Sequence, residues 1–381
     1  MKKKIKIVIA PDSFKGSIDA HGAAEALEKG ILSVADAESV EIVKIPIADG
    51  GEGTLCAMVG EDNFDYVIVN GPTGAPVKAA LGYLDGTAVI EMAQAAGLTL
   101  ADPKNLCAKN ATTYGVGEMI KHALDKGIRH FLLTAGGSAT NDGGTGMLAA
   151  LGGRFYNKNG ESFVPTGGTL CEIERIDLEG LDLRLTECRF TVATDVKNPL
   201  CGKEGATYVY ARQKGATDAE LAEMEEGMKH YASLVNALAG DEISAIAGSG
   251  AGGGIAVPLM AFCRAKIVSG IDAVLDVAHF ETHLDGADFV LTGEGKIDVQ
   301  SLYGKAISGV SRTAARAKIP VVCFVGCVGS DRDELKALGV SDIYATADIA
   351  PSAEYSMTHA DILLEKLAGD WFRSVKNSYD E

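Results

Sequence analysis

The chain has no basic run beyond Lys2-Lys3-Lys4, and its 35 Lys and Arg face 52 Asp and Glu, a net charge of −17. That field repels phosphate backbones and anionic lipid heads, so without a local basic patch a nucleic-acid or membrane-surface role is excluded. No apolar segment is long enough to span a bilayer. The stretch from Ile5 to Ala10 that follows the lysines is too short for a signal peptide, and Pro11-Asp12 interrupts it. None of the eight cysteines stands in a CxxC pair, so they read as reduced thiols of a cytoplasmic protein. Internal repeats and low-complexity linkers are missing as well. A GxxxxGKS or GxxxxGKT P-loop is absent, and no GxSxG elbow surrounds Ser138 or Ser249. His279, Glu281 and His283 lack the zincin spacing and read as an exposed turn or strand.

What is present is glycine, 46 residues in a chain of 381, placed beside hydrophobic segments without a fixed period. The length favours two domains. Short Val- and Ile-rich runs that end in glycine or a carboxylate, each followed by an alanine-rich helical stretch, predict parallel α/β architecture. Strands are expected at Ile5 to Ala10, Val40 to Ile47, Phe131 to Thr134, Phe289 to Thr292, Val321 to Val325 and Ile343 to Ala345, six for one doubly wound sheet. Three closely spaced runs, Tyr66 to Asn70, Val77 to Leu84 and Thr87 to Met92, predict an antiparallel meander. Short strands at Arg189 to Ala193 and Thr207 to Tyr210, with a long charged helix around Ala219 to Leu238, complete a second α/β domain inserted into the first. The expected division is 1–63, 107–155 and 284–381 against 64–106 and 156–283.

Ligands of open parallel sheets bind at the carboxyl ends of the strands. Four polar clusters follow strands here: Pro11-Asp12-Ser13-Phe14-Lys15-Gly16-Ser17, Asp49-Gly50-Gly51-Glu52-Gly53-Thr54, Gly136-Gly137-Ser138-Ala139-Thr140-Asn141-Asp142-Gly143-Gly144 and Thr292-Gly293-Glu294-Gly295-Lys296-Ile297-Asp298. Glycines expose N–H groups that hold phosphate, lysines neutralise it, and carboxylates hold magnesium or accept a hydroxyl proton. This is an inventory for phosphoryl transfer, which needs positioning and charge more than a covalent nucleophile. The four clusters are expected to converge on one edge. Gly248 to Gly254 contains a GxGxxG match before the helix-like stretch from Ile255 to Phe262, and it keeps a nicotinamide-dependent hydroxy-acid oxidoreductase as the alternative. The poor strand from Ile243 to Ala247 ahead of it counts against that alternative.

The blocks Pro11 to Ser17, Pro46 to Thr54, Thr112 to Gly117, Gly137 to Gly144, Thr194 to Leu200, Gly248 to Gly254 and Thr292 to Asp298, in this order along the chain, resemble the bacterial class I glycerate kinases. The resemblance implies a Rossmann- or flavodoxin-like doubly wound parallel sheet domain with an inserted second α/β domain containing a mixed sheet. It also implies ATP-dependent phosphorylation of D-glycerate, with the 2-phospho product favoured. On that basis Asp12, Ser13 and Lys15 are candidate substrate contacts, and Asp195, Lys15 and Lys296 are candidate catalytic residues, Asp195 as base. Candidate phosphate contacts are Gly136, Gly137, Ser138, Asn141, Gly248, Gly250, Gly252, Gly253 and Lys296. Asp49, Glu52 and Asp142 are candidate Mg2+ ligands.

Overall fold

The structure is a computed structural model that describes residues 4–36, 38–102, 106–298, 305–335, 337 and 339–379. These form two compact units, one of residues 1–49, 56–60 and 270–381 and one of residues 50–55 and 61–269.

The first unit is built on a five-stranded parallel sheet. Its spatial order is Asp342–Ala345, Val321–Val325, Phe289–Gly293, Ile5–Pro11 and Val40–Lys44. The central strands are apolar almost without interruption, as expected where helices cover both faces of a parallel sheet. Asp19 caps the helix Ala20–Leu32 by accepting from the Gly22 N–H at 2.7 Å. That helix packs on the helix Ala360–Tyr379 at Gly30, where a Cβ would fall 2.1 Å from the Glu365 carbonyl oxygen. Trp371 of the second helix stands edge-on to Phe289 and Phe324 and closes the core on that side.

The second unit holds a six-stranded mixed sheet in the order Lys266–Val268, Arg189–Ala193, His130–Thr134, Thr87–Glu91, Pro76–Leu84 and Asp65–Asn70. The last three strands form the expected antiparallel meander, and the first four run parallel. Among the helices around it, Asp218–Ala239 is the longest of those described, started by a Thr217–Glu220 capping box and stopped at Gly240 in the left-handed region.

Three expectations are corrected. The strand at Phe131 to Thr134 does not join the first sheet: it lies between Thr87–Glu91 and Arg189–Ala193, and Phe131 stacks on Phe190 with ring centroids 4.7 Å apart. Residues 107–155 therefore belong with the second unit, and residues 270–283, expected in the second domain, belong with the first. Finally, Thr207 to Tyr210 is part of a helical turn, Ala206–Tyr210, that buries Ala206 and Thr207 and exposes Tyr208 and Val209. Its β-branched and aromatic composition had suggested a strand, but only one side of the segment is covered.

Candidate active site

At the carboxyl edge of the first sheet, the Asp12 N–H donates to the Gly293 carbonyl at 2.8 Å, tying the ends of two adjacent strands together. Past Val40–Lys44 the chain stays beside the Ile5–Pro11 strand, through Ile45 N–H to Ile9 and Ile47 N–H to Pro11 at 2.8 and 3.0 Å, and so reaches Asp49. Asp12, Asp49 and Glu294 thereby come to one edge. Burial, with the nearby charges of Asp49 and Glu294, pushes the Asp12 carboxyl up to about 7, against the hydrogen bond that it accepts from the Ser13 N–H. Glu294 is 8% exposed and was not among the expected site residues, although it directly follows a strand that was.

Lys15 and Ser13 are exposed in the loop after Asp12. The loop is turned back by Phe14 N–H to Ile18, Gly16 has a φ of +78°, and the Ser17 hydroxyl donates to the Met357 carbonyl at 2.5 Å. Lys296, in the short strand Lys296–Ile297, is exposed with its Nζ 3.2 Å from Asp298. Asp12, Ser13, Lys15, Asp49 and Lys296 therefore all belong to the carboxyl side of one sheet.

The third cluster lies at the carboxyl edge of the other sheet, so the expected convergence of four clusters on a single sheet is corrected. There the register aligns Glu91, Thr134 and Ala193. The chain beyond them supplies Gly136 to Ser138 from one strand and the exposed Asp195 from the next. Among the described residues, the N–H groups of Gly136, Gly137 and Ser138 have no protein acceptor. Three successive donors without a protein acceptor after a strand are the groups from which an anion-binding turn is built. Gly137 sits at φ +69°, and a Cβ there would lie 2.8 Å from Glu52 Oε1, so Glu52 is held against this turn. Glu91, which sequence reasoning missed, is 4% exposed and accepts from the Leu55 N–H at 2.8 Å. Burial raises its carboxyl above the ordinary range.

Asp142 does not fit a metal ligand. It is fully buried, and its oxygens accept from Thr113 N–H and Oγ1 at 2.8 Å each, from Gly144 N–H at 3.1 Å and from Gly146 N–H at 3.3 Å. Three of these donors crowd Oδ2 and one holds Oδ1 in a site without solvent exposure, which makes Asp142 the anchor of the Thr113 and Gly144–Gly146 backbones. Asp142→Ala leaves the donors orphaned in the core and is expected to cost about 3–5 kcal/mol in urea unfolding. Wild-type stability together with a lost Mg2+ requirement would return Asp142 to the metal.

Asn141 is equally buried and its Nδ2 donates to Thr207 Oγ1 at 3.1 Å, while its Oδ1 has no hydrogen-bond partner among the described residues. The Gly248 to Gly254 run is also explained by packing. A Cβ at Gly250 would meet the Pro199 carbonyl at 2.3 Å and one at Gly253 the Thr140 carbonyl at 2.1 Å, and the Gly250 and Gly253 N–H groups are bonded to Asn198 and Gly250. Gly248 lies close to Ile267 and Val196, and Gly252 to Met92. With their N–H groups already bonded, Gly250 and Gly253 are not carried forward as phosphate contacts, whereas Gly248 and Gly252 stay candidates.

Lys214 was missed altogether. It is 3% exposed, and its Nζ donates to Ser138 Oγ at 2.7 Å and to the Thr140 carbonyl at 2.8 Å. Burial lowers its ammonium to about 7, with Asp142 opposing the shift, while the same cause acts upward on the Asp142 acid.

A model of the "Glycerate kinase family" matches residues 7–376. The chain belongs to the glycerate kinase family. A glycerate kinase of Bacillus subtilis (strain 168) is 41% identical over 376 residues, 98% of each chain. The glycerate 2-kinase of Escherichia coli (strain K12) is 39% identical over 345 residues, 90% of each. A crystal structure provisionally assigned as glycerate kinase 2 of Salmonella typhimurium LT2 matches with a TM-score of 0.88 at 38% identity, covering 100% of both chains.

Membership in the glycerate kinase family removes the oxidoreductase alternative, and the local geometry agrees. The GxGxxG match follows a 3-10 turn, Ile243–Ala245, and not a strand, so the dinucleotide fingerprint lacks its strand-to-helix frame. Among the described residues no three His, Cys, Asp or Glu side chains form a metal-holding group, His279, Glu281 and His283 included. No described helix is long and apolar enough to cross a membrane.

Proposed function

We propose that the protein transfers the γ-phosphoryl group of ATP to D-glycerate with the help of Mg2+, and that the 2-hydroxyl is the acceptor. The observation that carries this furthest is the unused N–H run of Gly136, Gly137 and Ser138 in a chain of net charge −17. An acidic protein must hold a triphosphate through local donors, and backbone N–H groups fixed before binding cost no reorganisation. The E. coli relative's name, glycerate 2-kinase, supports the 2-hydroxyl.

In this reading Asp12 and Ser13 bind the hydroxyls of glycerate, and Lys15 pairs with its carboxylate or with the transferred phosphoryl. Asp195 takes the proton from the attacking hydroxyl as that oxygen bonds to the γ-phosphorus and ADP leaves. Lys296 neutralises the β- and γ-phosphates. Asp49 and Glu52, three residues apart, offer the hard carboxylate oxygens that Mg2+ prefers, and the mutual repulsion of Asp12, Asp49 and Glu294 is relieved by a cation. When bound, Mg2+ supplies charge neutralisation on the phosphate oxygens. The eight cysteines are thiols outside any disulfide, which suits a cytoplasmic enzyme supplied with ATP.

The experiment is ADP release from ATP with D-glycerate, L-glycerate or no acceptor, with and without Mg2+, and identification of the product by NMR. Release that needs both D-glycerate and Mg2+, with phosphorus coupled to the C2 proton, is expected. Release with L-glycerate alone, or a C3-phosphorylated product, removes the stereochemical or the regiochemical part of the proposal.

A further inference from the structure

We propose that Lys214 fixes the Ser138 hydroxyl as a hydrogen-bond donor to an anionic oxygen of a bound substrate. Ser138 is then a direct ligand contact and Lys214 its positioning residue. This rests on the reading of Gly136 to Ser138 as the anion site of the kinase.

An ammonium group has three N–H donors and no acceptor. Lys214 is in that form below about pH 7, and there Ser138 Oγ is the acceptor in its 2.7 Å contact with Nζ. Its own proton has to point elsewhere, and among the described residues Ser138 Oγ makes no other hydrogen bond. Ser138 directly follows Gly136 and Gly137, the partly open residues of the loop. The backbone N–H groups of these three residues also lack protein acceptors. Three N–H groups and one O–H, all donors, thus lie within three consecutive residues.

The second Lys214 bond, 2.8 Å to the Thr140 carbonyl, ties the far side of the same loop and prevents it from swinging away from the ammonium. A lysine exposed by only 3% has given up most of its hydration. A polar staple for the loop needs no charge. In its ammonium form Lys214 adds to the field on an anion in front of the loop to the extent that it outweighs the nearby Asp142. The anionic oxygen can come from the nucleotide phosphates or from the glycerate carboxylate, and kinetics with each substrate varied separates the two.

The test is steady-state kinetics on Ser138→Ala, Lys214→Met and the double variant, varying ATP and D-glycerate in turn. Loss of one hydrogen bond to a charged oxygen should raise KM for one substrate roughly 10-fold or more. A rise confined to ATP assigns the contact to a phosphate, and a rise confined to glycerate assigns it to the carboxylate. Lys214→Met should raise the same KM, and the double variant should be no worse than the poorer single one, because both remove the same donated proton. Losses that multiply in the double variant would overturn the link between the two residues. If Lys214→Met does not fold, Ser138→Ala decides alone: KM and kcat within two-fold of wild type for both substrates would overturn the proposal while leaving the kinase reading intact. A wild type that turns over no ATP with glycerate overturns that reading and this inference with it.

Discussion

Lys296→Met is expected to lower turnover on the order of 10²–10³-fold and to leave the unfolding midpoint where it is. The side chain is 59% exposed, and its partner Asp298 lies 3.2 Å away. An exposed ion pair of this kind contributes ~0–1 kcal/mol to stability, so removing it does not threaten the fold. Methionine keeps the length and apolar stem and deletes only the charge. In phosphoryl transfer the charge spreads over the oxygens of the moving group, and cations placed there act mainly in the transition state. The loss should therefore appear in kcat more than in the KM for ATP. Lys296→Arg, which keeps the charge but changes its shape, should recover part of the rate. The measurement is ADP release alongside thermal unfolding. Turnover within three-fold of wild type takes Lys296 out of the mechanism, and a rate loss that tracks a fall in the midpoint makes it a structural residue.

The strands were legible because each is a short apolar run closed by a polar cluster, a local signal that survives folding. Which sheet a strand joins is not local. Phe131 to Thr134 reads as a buried parallel strand in either sheet, and its place is decided by partners some 40 to 60 positions away, Thr87 to Glu91 and Arg189 to Ala193. The same limit governs the site. Asp12 and Asp49 announce themselves by composition, and so does Asp142, but composition does not say whether a carboxylate faces a ligand or four backbone and hydroxyl donors in the core. Glycine is ambiguous in the same way. At Gly136 and Gly137 it leaves N–H groups unused, whereas at Gly250 and Gly253 it lets carbonyl groups approach where a Cβ would stand. Lys214 carried no warning, since a lysine in Arg212-Gln213-Lys214-Gly215 has the sequence context of a solvated turn.

Asp12→Asn is expected to move activity and stability in opposite directions. The folded carboxyl holds its proton up to about 7, against 3.8 for an ordinary aspartate. Between those two values the unfolded chain has released the proton and the folded chain has not, so the unfolded state binds fewer protons and stability falls as pH rises from about 4 to 7. At full weight that difference would cost the folded state about 4 kcal/mol, and solvent around a half-buried group reduces this to about 1–2 kcal/mol. Asparagine has the same shape without the charge and escapes the penalty. The variant should match wild type in stability near pH 4 and exceed it by that amount at pH 7.5. Mg2+ should narrow the gap by neutralising the Asp49 and Glu294 charges that help to raise Asp12. Turnover, by contrast, should drop about 10²-fold under the proposed role of Asp12, in which its carboxylate accepts a hydrogen bond from a glycerate hydroxyl that a neutral amide accepts more weakly. Guanidinium unfolding from pH 4 to 8, paired with kinetics, checks both halves. A variant no more stable than wild type at pH 7.5 means that Asp12 is ionised at no cost, and a variant with full turnover means that glycerate does not need it. Stability gained together with rate lost identifies the cluster at this sheet edge as strain kept for chemistry.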